Sequence, residues 1–302
     1  MKGIADRIVG PTLRKYGVPE WIDPYVYRYL KSNPLNVVKF ATSFIDTKRK
    51  KGEVTKKYVR LPNGTTFSMD SIIHLLNLFY YGEDRMVGIY KEWSENSPEH
   101  NAEYSSRFAA MMPLKAKHAR AIKNMMEGLG KRPEAKEPKE IKEVFDYIGS
   151  LKGWNDRILA TNVVLRGSYA NVFGTIFFKV FYPVSPEFMR SLGKAFETDA
   201  IDNEWGFEEA RRIIGEGLVP EERILQLARE LTARVLLSIE ANMKFAKKAK
   251  IPREMELLRD IAVANPFHTL KELGLEVDVD REVKMVASLA KALTPGKKAA
   301  KK

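Results

Sequence analysis

From residue 70 to residue 293 apolar side chains return about every 3.6 residues with few interruptions. That period belongs to helices, and each helix so written carries one apolar stripe that it must bury against another element. The pattern predicts long helices over 70–94, 100–128, 138–181 with a break at Gly153, 186–215 and 220–249. Shorter ones follow near 253–264 and 280–293. Asp70 is the expected cap of the first. For the fourth, Ser185 can cap and Pro186 suits the first turn, while Gly215 and Gly217 mark the end. Four long helices with one dominant face each can satisfy those faces around a common axis, so the expected fold class is all-α with a four-helix bundle over 70–216. Residues 1–69 read as short helices broken by Pro24 and Pro34, followed by "KKYVRLPNGTTFSM", whose alternation around Pro-Asn-Gly predicts a small β-hairpin. Residues 217–302 read as further helices packing on the bundle, with a disordered basic tail.

Composition narrows the chemistry. With 302 residues and 44% hydrophobic content the chain can bury a large core without metals or cross-links. Cysteine is absent, which removes thiolate nucleophiles and Cys-ligated metals; oxygen and imidazole ligands remain, and there are four His. No phosphate-binding glycine loop, nucleophile elbow or zinc-protease motif occurs. The start, "MKGIADRIVGPTLRKYG", lacks the apolar core of a secretion signal, and no apolar run reaches the roughly 18 residues of a membrane span; a cytoplasmic location and no membrane partner are expected. Abundant Lys and Glu without Cys fits a thermophilic chain. The net charge of +12 favours polyanionic partners. Part of it is concentrated at the hairpin, where Lys48, Arg49, Lys50, Lys51, Lys56, Lys57 and Arg60 are candidates for contacting the phosphates of nucleic acid or ribosomal RNA. Tyr58 could stack on a base or pack across the strands.

The inward stripes hold polar residues at mid-height. On the first helix, among Ile73, Leu76, Phe79, Tyr80, Met86, Val87 and Tyr90, the one acid is Glu83. The second, with Phe108, Met111, Met112, Ile122, Met125, Met126 and Leu129, includes Lys115 and His118. The third passes through Thr161, Leu165 and Ser168, and the fourth through Phe196, Ala200, Asn203 and Phe207. His74 and His268 sit among apolar residues and read as satisfied core or cap histidines. The acids Glu197, Asp199, Asp202, Glu204, Glu208 and Glu209, with Arg211 and Arg212 nearby, read first as a solvated face with i, i+4 pairs. "GSYANVFG", residues 167 to 174, carries small residues suited to close helix packing or a homodimer face.

The texts "LKAKHARAIKNMMEGLG" and "SPEFMRSLGKAFETDAIDNEWGFEEARRI" give residues 70 to 215 a resemblance to the ferritin-like superfamily, and within it to bundles related to the phenylacetyl-CoA oxygenase subunits. In that pattern two helices each donate a Glu and two donate Glu-x-x-His to a carboxylate-bridged di-iron site. Carried over by position, the ligands fall on Glu83, on Lys115 and His118, near Ser168, and on Ala200 and Asn203. Only Glu83 and His118 match. The resemblance therefore implies a bundle whose di-iron site has degenerated, with no metal cofactor and a structural ion pair in its place. That describes a pseudoenzyme working as a binding or scaffold protein. Displacing the fourth helix by one residue instead puts Asp199 and Asp202 beside Glu83 and His118, the ligand set of an active di-iron oxygenase or oxidase.

Overall fold

The computed structural model describes residues 53–60, 66–97, 101–170, 205–248 and 252–294. The expected helices over 20–45, the basic tail, Lys48 to Lys51, and residues 186–204 lie outside them.

Helices dominate. Strands β1 (Glu53–Val54), β2 (Tyr58–Arg60) and β3 (Thr66–Ser68) form one antiparallel sheet in that order, three strands where the turn motif predicts two. Val59 pairs with both Val54 and Phe67, and Val59 and Phe67 turn inward onto the core. The chain passes directly from β3 into α1 (Met69–Asn96). The cap is Ser68, whose Oγ accepts from the Ser71 amide at 3.2 Å, and Asp70 sits in the first turn instead. Both residues are of capping type; the end of β3 leaves Ser68 extended and so selects it. Next comes α2 (Ala102–Gly128), capped by Asn101, which accepts from the Tyr104 amide at 3.0 Å. It ends where Gly130 adopts φ +73° and the Lys131 amide turns back to the Met126 carbonyl at 2.9 Å, a conformation that favours glycine.

The predicted 138–181 helix is divided. α3 (Lys139–Ser150) stops before Leu151, and Gly153 leads into α4 (Trp154–Ile158), which continues as a π-helix over Leu159–Ala170. Its side chains account for the widening. Thr161 Oγ1 reaches back to the Arg157 carbonyl at 2.8 Å, Asn162 Nδ2 to that of Ile158 at 3.2 Å, and Ser168 Oγ to that of Val164 at 2.6 Å. Each occupies a carbonyl that the α pattern would give to the amide four residues on. Residues 205–215 form α5, closed by Gly217 at φ +63°. After it come α6 (Glu221–Lys248), α7 (Pro252–Glu272) and α8 (Val279–Leu293). The helix expected to end near 264 runs through Pro266 to Glu272, because Phe267 and Leu270 continue its buried stripe beyond the proline.

α1 and α2 are the most closely packed pair. The π-helix lies chiefly against α6 and α7, and α6 also covers α3. The third predicted bundle helix thus meets the C-terminal helices more than it meets α1 or α2. The first four predicted bundle helices do converge at one end. There Phe108 of α2 contacts Tyr90 and Trp93 of α1 at 5.1 and 5.3 Å between centroids, Trp154 of α4 at 5.6 Å and Trp205 of α5 at 6.3 Å. Arg157 is sandwiched between Trp93 and Trp154, at 5.0 and 4.7 Å from their rings, and bonds the Leu151 carbonyl and Ser97 Oγ. Gly206 approaches the π-helix so closely that a Cβ there would lie 2.2 Å from Asn162. α8 is locked to α6 by the Arg229 guanidinium, which meets the buried Glu282 carboxylate through two bonds of 2.5 and 2.9 Å. Among the described residues no helix is long and apolar enough to cross a membrane.

Because Phe108 is fully buried and joins four helices, Phe108→Ala is expected to cost about 3–5 kcal/mol in urea denaturation. A loss below about 1 kcal/mol would show that the aromatic junction is not what couples these helices.

Candidate functional site

The antiparallel packing of α1 on α2 brings Glu83 opposite Lys115 and His118. Lys115 and His118 lie three residues apart, on the face of α2 that also buries Phe108, Met111, Ile122 and Met126. One oxygen, Glu83 Oε2, stands 3.3 Å from Lys115 Nζ and 3.2 Å from His118 Nδ1. A carboxylate only accepts, so the Nδ1 nitrogen carries the proton. His118 is fully buried, Lys115 is 8% exposed and the Glu83 side chain 16%. Burial alone favours the neutral acid at Glu83. The Lys115 ammonium and the His118 imidazole reverse that effect and hold its carboxyl at about 2, below the usual carboxylate range.

The remaining carried-over positions divide. Ser168 is buried, but its hydroxyl is engaged by the Val164 carbonyl and not by Glu83; its neighbour Gly167 faces Asn265 and Pro266 of α7. Ala200, Asn203, Asp199 and Asp202 lie outside the described residues. Among the described residues no three His, Asp or Glu side chains stand close enough to hold a metal ion. The donors that do meet are one carboxylate and one imidazole, and the third group is an ammonium, which repels a divalent cation. That set does not fit a carboxylate-bridged pair of ions.

On the sheet, Lys56 and Lys57 are exposed in the turn between β1 and β2. Arg60 is partly committed, 3.5 Å from Glu53 and 5.0 Å from the Tyr58 ring, and Tyr58 donates to Glu53 at 3.1 Å, so the tyrosine packs within the sheet. His74 bonds Asn242 of α6 at 2.7 Å. Burial pushes His268 down. On α5, Glu208 pairs with Arg211 and Glu209 with Arg212 at i, i+3, and Arg212 also takes Glu216 at i, i+4. Glu209 and Arg212 additionally meet the Tyr104 hydroxyl at 2.8 and 2.7 Å, tying α5 to α2. Sequence reasoning missed the buried Arg157 and Arg229. The usable signal was an Arg on an apolar stripe, as with Lys115, but one partner of each, Ser97 for Arg157 and Glu282 for Arg229, lies 60 and 53 residues away.

Compared with known proteins, the chain matches no family model, and no curated protein matches it.

The lowered carboxyl of Glu83 makes part of the stability pH-dependent. The contribution is complete above the unfolded value near 4.5 and disappears as pH falls toward about 2. Urea denaturation of the wild type at pH 5 and pH 3 should therefore show a larger drop than Glu83→Gln, in which only the other carboxylates, such as Asp146, still titrate. Identical pH profiles for the two proteins would mean that the carboxylate is not held by its partners.

Proposed function

We propose that this chain is a ferritin-like bundle in which an ion pair stands where relatives of that fold hold two metal ions. It works by binding, as a scaffold or pseudoenzyme, with nucleic acid or ribosomal RNA as the partner of its basic sheet. The observation that carries the first part is the single Glu83 oxygen met at 3.3 Å by the Lys115 ammonium and at 3.2 Å by His118. A cation supplied by the chain removes the charge deficit that would otherwise draw a metal in. It leaves no second carboxylate among the described residues to bridge two ions. Support for the second part comes from Lys56 and Lys57, exposed side by side at a turn and in no ion pair with a described residue. Such groups contact phosphates without reading sequence.

Two measurements test this reading. Lys115→Met leaves a buried carboxylate and is expected to cost about 3–5 kcal/mol, whereas Lys115→Met combined with Glu83→Leu recovers most of it. Equal stability of the single and double variants would sink the ion-pair assignment. Elemental analysis of protein purified with added iron should find far less than one iron per chain. Tightly held iron near two per chain would replace this reading with an active di-metal oxygenase or oxidase.

A further inference from the structure

The outer face of α2 carries a concentration of charge that the ion-pair site does not use. Lys117, Arg120 and Lys123 are exposed and recur every three residues, about 4.5 Å apart along the axis, and Lys131 and Arg132 follow just past the helix end. None of the five is in an ion pair with a described residue. Some surface cations are paired: Lys142 and Arg85 share Asp146, Arg223 takes Asp156, and Arg211 and Arg212 take their own helix's acids. Others, such as Lys91, Lys152 and Lys284, are exposed and in no ion pair with a described residue either, so what distinguishes the α2 cations is their clustering on one face. The negative end of the helix explains Lys131 and Arg132 in part, but not the three cations within the helix. The two acids of this stretch that are exposed, Glu127 and Glu134, do not balance them.

The fold joins this ridge to the sheet. The Glu134 amide donates to Asn77 Oδ1 at 3.0 Å, which pins the segment after α2 onto the early part of α1. At the start of α1 the Met69 amide donates to the Lys57 carbonyl at 2.9 Å. Met69 and Asn77 are about 12 Å apart along the helix, so the segments that carry Lys56–Lys57 and Lys131–Arg132 are anchored within about two turns of each other on α1.

We propose that the α2 ridge and the β1–β2 turn form one continuous surface for the phosphate backbone of nucleic acid. This inference rests on the nucleic-acid reading above and extends it from the turn to the helix. The kind of partner follows from what the ridge lacks. An anionic membrane surface would be met by cations set among apolar side chains that insert, and a protein partner by buried apolar anchors. The exposed large apolar side chains among the described residues are Val54, Leu218 and Met285; none is on α2, and Val54 stands on β1 two residues before Lys56. A helix ridge of charge without an apolar anchor suits a polyanion recognised through its phosphates.

The test is fluorescence anisotropy of the full chain with a labelled RNA duplex of arbitrary sequence, about 20 base pairs long, across a salt series. Wild type should bind at low salt and weaken at least tenfold on each doubling of salt. Lys117→Glu, Arg120→Glu and Lys123→Glu together should weaken binding at least tenfold and lower the slope of log affinity on log salt by about three. These positions are exposed, and thermal denaturation of the triple variant reports that it is folded. If Lys56→Glu with Lys57→Glu weakens binding while the α2 variant retains wild-type affinity and slope, the ridge is refuted and the turn reading stands. No binding by wild type at low salt refutes both. Binding to anionic phosphatidylserine vesicles in preference to the duplex overturns the choice of partner.

Discussion

A carboxylate enclosed between two helices is tolerable only if its neighbours supply what water no longer does. Glu83 is in that position, and everything about the α1–α2 pair follows from how it is satisfied. Lys115 contributes a full charge and His118 a directed N–H, and both act on the same oxygen. Because the two donors are three residues apart on one face of α2, only one register of the two helices brings both to Glu83. Sliding one turn would leave an ammonium and a carboxylate buried apart, at a cost of several kcal/mol for each. The polar trio therefore specifies alignment, while the apolar stripe above and below it supplies most of the favourable free energy.

That register has a consequence at the helix ends. With Glu83 against Lys115 and His118, the Tyr90 and Trp93 rings are carried to Phe108, and Trp154 and Trp205 close around the same ring. Arg157 then finds two indole faces and two oxygen acceptors already in position. The π-helix that follows is held on its other side by α7, where Asn265 Nδ2 donates to the Gly167 carbonyl at 2.8 Å. Through α6 and α7 the C-terminal helices share one apolar core with α1 and α2.

How far the sequence was legible depends on the range of the information each feature needs. The stripe of α2 and the presence of Lys115 and His118 on it follow from local periodicity, as does Glu83 on α1. The boundaries of α1, α2, α6 and α8 fall within two residues of those predicted from period and caps. Features decided by distant contacts were not legible. The π-helix depends on Thr161, Asn162 and Ser168 turning their side chains onto the preceding turn, although each residue also fits an ordinary buried helix. The third strand needs Val54 to pair with Val59, in a segment whose sequence is dominated by lysines rather than by strand alternation. The extension of α7 runs against the rule that proline ends a helix, and tertiary burial of Phe267 and Leu270 overrides it. Position 168 shares its spacing with a ligand position of the ferritin-like pattern, yet its hydroxyl turns to its own helix; spacing fixes the face of a helix but not the neighbour that face meets.

The distribution of charge separates interior from surface in the same physical terms. Inside, three charged clusters are matched locally: Glu83 with Lys115 and His118, Glu282 with Arg229, and the Arg157 cation with ring faces and oxygens. Matching of this kind is favoured by the low dielectric, because an unmatched buried charge costs several kcal/mol. No such rule acts on α2's outer face, where water solvates each cation separately. An excess there neither helps nor much harms folding, so Lys117, Arg120 and Lys123 contribute little to the stability of the fold they decorate. Their effect is on the field outside the molecule, in which the net charge of +12 is felt by whatever approaches. The buried trio and the exposed ridge lie on opposite faces of one helix, and the same period that fixes the first in the core presents the second to solvent.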